Sequence, residues 1–180
     1  MGHIPVNVKD AGMRWSLLLV LCSALLSWGS PPVTVRLLGV SENGALIVQH
    51  SQAVSTCIPY GVVTLEALAE EAGLKEACRR RINDYFRQAP EDAGFGSRQL
   101  KPQQFYRIER RESGCILYAR GRRSYAELLL ESGLALVRDG FDDALWYARY
   151  QRAQEGARRH RRGIWSNPYW AECDGGKRAP

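Results

Sequence analysis

Arginine is concentrated in the second half of this sequence, where it occurs in clusters. The chain has 25 Lys and Arg against 19 Asp and Glu, a formal net charge of +6. Guanidinium groups donate paired hydrogen bonds to phosphates, so clustered arginines are typical of surfaces that bind polyanions. Each cluster taken alone is more typical of a solvated helix or hairpin. The clusters are Arg107, Arg110 and Arg111; Arg120, Arg122 and Arg123; and Arg158, Arg159, Arg161 and Arg162.

Two of these clusters fall on neighbouring predicted strands and the turn between them, which predicts one continuous basic patch. Nucleic acid or another polyanion is the expected partner, and little sequence preference is expected because nothing in the pattern resembles a base-reading element. A protein partner is equally compatible with the sequence. The residues predicted to bind nucleic acid are Arg107, Arg110, Arg111, Arg122 and Arg123.

The cysteines favour disulfides. Cys22 lies in an apolar N-terminal run, and the other four are Cys57, Cys78, Cys115 and Cys173. An even number of cysteines in an exported protein is typical of disulfide pairing, although the sequence does not choose among the connectivities. A zinc site is the competing interpretation, but it lacks the C-x-x-C pair that such sites usually have.

The N-terminal run, residues 15–26, is apolar, follows Arg14 and is succeeded by small residues. This pattern predicts a secretory signal peptide over residues 1–29, and Met13 is a better start for it than Met1. The run is shorter than the ~20 residues of a membrane-spanning helix. We therefore expect a secreted or periplasmic protein. An uncleaved N-terminal anchor, which would attach the protein to a membrane, is the alternative.

The rest of the sequence predicts one globular domain, residues 31–166, and a C-terminal tail, residues 167–180. A chain that is 45% hydrophobic and 24% charged is too apolar to be disordered. Period-two and period-3.6 patterns predict strands and helices. The predicted strands are residues 33–40, 45–48, 55–63, 101–110 and 114–120. The predicted helical stretches are residues 64–88 with a break at Gly73, a helix after Ser124, and residues 142–162, and residues 89–98 are a predicted loop.

The order of these elements indicates the fold class. Five short strands, with a helix after the third and helices after the fifth, fit an α+β, mainly β fold: a five-stranded Greek-key barrel of the OB type. A generic α+β sandwich is the alternative. Ser124 and Glu127 have the spacing of a capping box, which marks a helix start. The expected core includes Leu128, Leu129, Leu134, Val137 and Trp165.

The second half of the sequence resembles the staphylococcal nuclease (thermonuclease) family over about residues 105–166. Residues 114–119 and 124–137 are similar to a strand and a helix that read roughly G-x-L-A-Y-V and V-N-x-x-L-V-x-x-G-L-A-x-V in that family. Residues 153–166, which contain Gly-Ile-Trp, are similar to its basic final helix and G-[IL]-W ending. The resemblance implies Ca²⁺-dependent cleavage of DNA and RNA by two metal-binding aspartates, a glutamate base and two phosphate-binding arginines.

The resemblance also implies that the metal site is altered. The family's D-G-D-T turn falls on residues 41–44, which places Asn43, approximated by Glu42, at the first metal aspartate. Its third-strand motif places Val63 at the second metal aspartate. Ca²⁺ prefers several charged oxygens, so this site would hold the ion weakly.

The phosphate-binding positions are altered in the same way. The same alignment places Ile58 and Ser113 where the family has its two arginines, and keeps only Glu66, at the position of the base. The loss of each phosphate donor costs roughly 3 kcal/mol of transition-state stabilisation. These changes together predict a catalytically impaired domain.

A rival register aligns residues 36–41, Arg-Leu-Leu-Gly-Val-Ser, with the family's R-L-x-G-V-D. It keeps Arg36 but places Ser41 at the aspartate, and it leaves no room for the two strands that should come first. The first register is therefore preferred. Neither register keeps the metal aspartate, so both imply the loss of a tight Ca²⁺ site.

Two hypotheses follow. The first is an exported binding module with a basic surface and no cofactor. The second is an active phosphodiesterase or endonuclease that cleaves DNA or RNA through a rearranged Ca²⁺ site. That site would use Glu42, Asn43, Glu66 and Glu109 with one or more of Arg107, Arg110 and Arg111. Glu66 and Glu109 are ordinary surface carboxylates under the first hypothesis.

Overall fold

The computed structural model describes residues 31–173. The predicted signal segment, residues 1–29, and residues 174–180 of the predicted tail lie outside the described residues. Within the described part of the chain, none of the helices is both long and apolar enough to cross a bilayer.

The secondary structure alternates between strands and helices after an initial run of strands. The strands are β1 (Val33–Val40), β2 (Leu46–His50), β3 (Ala53–Cys57), β4 (Val62–Thr64), β5 (Phe105–Arg111), β6 (Gly114–Arg120), β7 (Arg123–Ser124) and β8 (Ala135–Val137). The helices are α1 (Leu65–Glu70), α2 (Glu76–Gln88), α3 (Pro90–Ala93), α4 (Phe95–Gln99), α5 (Tyr125–Glu131) and α6 (Ala144–Arg159), followed by two 3₁₀ turns, Gly163–Ser166 and Trp170–Glu172.

The main sheet is antiparallel and six-stranded, in the order β3-β2-β1-β5-β6-β7, while β4 pairs with β8 in a separate sheet. This confirms the predicted α+β, mainly β class. The predicted five-stranded barrel is not closed by strand pairing, because the sheet is open between β3 and β7. The predicted third strand, residues 55–63, is divided into β3 and β4. Pro59 lies in the gap and has no N–H with which to continue a ladder.

The chain after β3 nevertheless contacts β6. The N–H of Tyr60 donates to the carbonyl of Cys115 at 3.0 Å, and the N–H of Cys115 donates to the carbonyl of Ile58 at 2.9 Å. Cys57 and Cys115 are placed as a disulfide pair, with Cα atoms 5.8 Å apart. The two halves of the main sheet are therefore linked at this point by backbone hydrogen bonds and by side chains.

Alternation along the strands separates a buried face from an exposed one. In β1, Val35 and Leu37 are buried, whereas Thr34 and Arg36 are exposed. Leu128, Leu129 and Leu134 are buried as predicted. Val137 and Trp165, which were also expected in the core, pack against it and are partly buried.

The predicted capping box is confirmed. The N–H of Glu127 donates to Ser124 Oγ at 3.1 Å, and the N–H of Ser124 donates to Glu127 Oε2 at 2.7 Å. Arg149 of α6 adds two hydrogen bonds to the same carboxylate, at 3.0 and 2.8 Å. The start of α5 is thereby tied to α6.

Two segments contain more structure than the sequence pattern predicts. The predicted loop, residues 89–98, contains α3 and α4, which are too short to show a helical period. Residues 167–173 of the predicted tail are packed: Trp170 is 1% exposed, and Cys173 is placed as a disulfide partner of Cys78 with their Cα atoms 5.6 Å apart. Arg81 also forms an ion pair with Glu172 at 2.7 Å.

Candidate functional site

The polar atoms of the turn between β1 and β2 form hydrogen bonds with one another. Ser41 Oγ donates to Asn43 Oδ1 at 2.6 Å, and the N–H of Ala45 lies 3.4 Å from the same oxygen. Gly44 has φ of +78°, and a Cβ there would collide with the methyl group of Thr64. The side-chain oxygen of Asn43, which the sequence offered as a metal ligand, is therefore engaged within the turn.

Thr64 connects this turn to the helix that carries Glu66. Its hydroxyl donates to the carbonyl of Asn43 at 2.8 Å and accepts from the N–H of Ala67 at 3.2 Å, which caps α1. The structure thus brings the β1–β2 turn and the first turn of α1 together. These are two of the segments to which the resemblance assigns catalytic positions.

A small pocket, partly open to solvent, lies beside this junction. Glu42 and Glu66 both line it, so the structure brings together two of the predicted site residues. One wall is formed by residues 93–97, from the end of α3 into α4. Tyr125 forms another part of the wall, and a Cβ on Gly96 would collide with its hydroxyl. The α3–α4 segment is therefore packed closely against Tyr125 at this wall of the pocket.

Glu66 has a shifted protonation equilibrium in this pocket. Burial is the main cause that raises the pKa of its carboxyl group, and the nearby negative charge of Asp92 adds to it. Hydrogen bonds with its own backbone and with Thr64 lower the pKa in part, and the net value is about 7. A carboxyl group with this pKa is about half protonated at neutral pH. It is therefore suited to proton transfer.

The other positions implied by the resemblance offer no charged ligand. Val63 is buried, Ile58 is 51% exposed and Ser113 lies on the exposed β5–β6 turn. Among residues 31–173, no group of three or more His, Cys, Asp or Glu side chains is arranged to hold a metal ion.

Glu109 is not among the residues that line the pocket, and its carboxylate is already bonded. Tyr118 Oη donates to Glu109 Oε1 at 2.5 Å, and Arg111 donates to Oε2 at 2.9 Å. Burial and the bond to Glu109 raise the pKa of Tyr118 to about 12, so this hydroxyl keeps its proton at neutral pH. Glu109 therefore positions neighbouring side chains, and the structure does not bring it into the pocket with Glu66.

The five arginines predicted to bind nucleic acid do not share one face. Alternation along β5 places Arg107 and Arg111 on one face and Arg110 on the other, where it donates to Ser55 Oγ at 3.1 Å. Arg111 pairs with Glu109 at 2.9 Å. In the β6–β7 region, Arg123 pairs with Glu131 at 3.1 Å, while Arg122 follows the turn and is exposed.

Ion pairs thus neutralise two of the five predicted nucleic-acid-binding arginines, Arg111 and Arg123. Within residues 31–173, the side chains of Arg107, Arg110 and Arg122 form no ion pair, so their charges remain available to an anion. Arg36 and Phe105 are exposed beside Arg107, and the sequence prediction missed them. Phe105 and Arg107 are two positions apart in a predicted strand, and this period-two spacing could have placed Phe105 on the same face as Arg107.

Compared with known proteins, the chain matches no protein-family model and has no significant match among curated sequences.

Proposed function

We propose that this chain is an exported domain of the staphylococcal nuclease type that lacks the Ca²⁺-dependent catalysis of that family and binds nucleic acid or another polyanion through unpaired arginines. The observation that carries the proposal is the β1–β2 turn, where the Asn43 side-chain oxygen accepts from Ser41 at 2.6 Å. An oxygen engaged in this way is a poor metal ligand. The Val63 position supplies no oxygen either.

The strand order supports an OB-type topology. β1, β2 and β3 form a meander, β5 pairs with the free side of β1, and β6 follows β5. The bridge between Pro59 and Cys115 brings the end of β3 to β6, which is the remaining contact of a five-stranded Greek-key arrangement. Arg36 lies in the first strand, which supports the register that places Asn43 and Glu66 at the catalytic positions.

Export is supported by the cysteines. Both disulfide-distance pairs, Cys57 with Cys115 and Cys78 with Cys173, are consistent with an oxidising compartment. Neither pair is a metal-ligand cluster. A secreted or periplasmic location is the one we propose.

The decisive experiment incubates the purified full chain with plasmid and single-stranded DNA, with millimolar Ca²⁺ or with EDTA. We expect no Ca²⁺-dependent cleavage, together with retention of nucleic acid in filter binding at ~50 mM salt. Retention should fall steeply with salt, with a log–log slope of about −0.7 to −0.9 for each phosphate neutralised. A domain that retains neither DNA nor RNA at that salt would contradict the binding proposal.

A second candidate function, an active phosphodiesterase, is favoured by one observation. Glu66 has a pKa of about 7 in a pocket, which suits a general base at neutral pH. Ca²⁺-dependent cleavage that disappears in Glu66→Gln and persists in Glu70→Gln would establish it. Glu70 is the matched control, because it is an exposed carboxylate at the end of the same helix.

A further inference from the structure

The outer face of the main sheet is exposed where β1 and β5 pair, and there it carries aromatic and basic side chains. In β5, Phe105 and Arg107 lie on this face, while Ile108 between Arg107 and Glu109 is buried on the opposite face. Phe105 is 71% exposed, the largest exposed fraction among the big hydrophobic residues of the described chain. A phenyl ring held on a strand and presented to solvent is a ready surface for stacking.

Phe105 belongs to a row of side chains that crosses four strands. Phe105 is opposite Arg36, Arg36 is opposite Gln49, and Gln49 is opposite Val54. Directly opposed residues of antiparallel strands project from the same face. With strands ~4.8 Å apart, the row extends roughly 15 Å across the sheet. Val54, at the far end, is 59% exposed.

A second row lies beside the first. Thr34, Arg107 and Tyr118 are opposed across β1, β5 and β6, and the Arg107 guanidinium lies 4.1 Å from the centre of the Tyr118 ring. The hydrogen bond from Tyr118 to Glu109 holds that ring in place. Arg107 is itself exposed, so its guanidinium plane has the tyrosine on one side and can accept a flat partner on the other.

The charges of this face are available to a ligand. Among the described residues, neither Arg36 nor Arg107 forms an ion pair, whereas other arginines do. The paired arginines are Arg79, Arg81, Arg87, Arg98, Arg111, Arg123, Arg149 and Arg158. The carboxylate on this face, Glu109, is already neutralised by Arg111. The face therefore has unpaired positive charge next to an exposed ring.

We propose that this face binds single-stranded nucleic acid, with a base stacked on Phe105 and the phosphates neutralised by Arg36 and Arg107. The inference rests on the proposed function and names its ligand class. A single strand is favoured over a duplex because the base faces of a duplex are stacked inside the helix and cannot reach a ring on a sheet. Sequence preference is expected to be slight, since any base can stack.

The test measures binding of the full chain to a fluorescent oligo-dT strand and to a duplex of equal length, by anisotropy over a range of salt. Phe105→Ala should weaken single-strand binding roughly 5- to 100-fold and leave duplex binding nearly unchanged. Phe105→Trp should restore it. Arg36→Ala with Arg107→Ala should reduce the log–log salt slope by about 0.7 for each arginine.

The matched controls lie on α6. Tyr147→Ala removes another exposed aromatic side chain, and Arg152→Ala removes an exposed charge that lies outside the arginine clusters. These variants should bind oligo-dT as the unmutated protein does. Phe105 is exposed, so its replacement should leave the thermal unfolding midpoint unchanged, which separates lost binding from lost folding.

Two outcomes overturn the inference in distinguishable ways. If the unmutated protein binds with steep salt dependence but Phe105→Ala and the double arginine variant bind equally well, another arginine surface is used and the proposed function survives. If neither strand nor duplex is bound at ~50 mM salt, the proposed function fails as well, and a protein partner becomes the occupant to test.

Discussion

Cys57, at the end of β3, lies at disulfide distance from Cys115 of β6, with their Cα atoms 5.8 Å apart. The two strands are far apart in the ladder order of the main sheet. This pair therefore links parts of the sheet that strand pairing leaves open. The second pair, Cys78 with Cys173, attaches the C-terminal 3₁₀ turn to α2 in the same way.

Thiol content tests both pairs. The exported protein, denatured without reduction, should show no free thiol from these four cysteines. A single thiol would indicate that Cys22 and its segment are retained, and four free thiols would contradict the pairing. Replacing both members of either pair by Ala should lower the free energy of unfolding by about 4 kcal/mol, given loops of 58 and 95 residues.

The pocket around Glu66 predicts a pH-dependent stability. The pKa of this carboxyl group is about 7 in the folded protein and near its ordinary value of 4.5 when unfolded, so the folded state binds more protons between these values. The free energy of unfolding should therefore fall as pH rises from 4.5 to 7. Discounted for the partial exposure of Glu66, the loss is about 2 kcal/mol at pH 8.

Glu66→Gln isolates this effect, because glutamine does not titrate. In urea unfolding followed by tryptophan fluorescence, the variant should match the unmutated protein near pH 4.5 and exceed its stability at pH 8. Glu70→Gln should show no such gain. If the difference in stability between Glu66→Gln and the unmutated protein is the same at pH 4.5 and at pH 8, the pKa of Glu66 is not raised.

The contact between Glu127 and Arg149 predicts a large stability effect from an apparently mild change. Arg149→Met would leave the nearly buried carboxylate with only its two bonds from Ser124, so we expect the free energy of unfolding to fall by about 2 kcal/mol. Arg152→Met, on the exposed side of the same helix, should cost less than about 0.5 kcal/mol. Equal losses in the two variants, measured by urea unfolding, would contradict the role given to Arg149.

The two C-terminal tryptophans should differ in importance. Trp170 is 1% exposed, whereas Trp165 is only partly buried against the core. We expect Trp170→Ala to cost about 3–5 kcal/mol, and Trp165→Ala to cost clearly less. Thermal unfolding of both variants is the measurement. A larger loss in Trp165→Ala would show that the G-I-W ending, and not the segment after it, is the main C-terminal anchor.

Local patterns in the sequence determined much of the secondary structure. The capping box of Ser124 and Glu127 is predicted from the sequence, because it depends on residues only three positions apart. Pro59 lies within the predicted third strand and interrupts it in the structure, because it has no N–H to continue the ladder. The prediction failed to see that the break is large enough to leave the sheet open, since that depends on the partner strand.

In the candidate site, too, the sequence determined which residues are present, and the tertiary structure determined how they are arranged. Glu42 and Glu66 were candidate site residues from the sequence, and the fold alone brings them to one pocket, where burial raises the pKa of Glu66. Arginine content was likewise visible in the sequence. Which arginines are neutralised by carboxylates, and which stand unpaired beside Phe105 on one face of the sheet, was decided by tertiary structure, because ion pairs and cross-strand rows join residues distant in the chain.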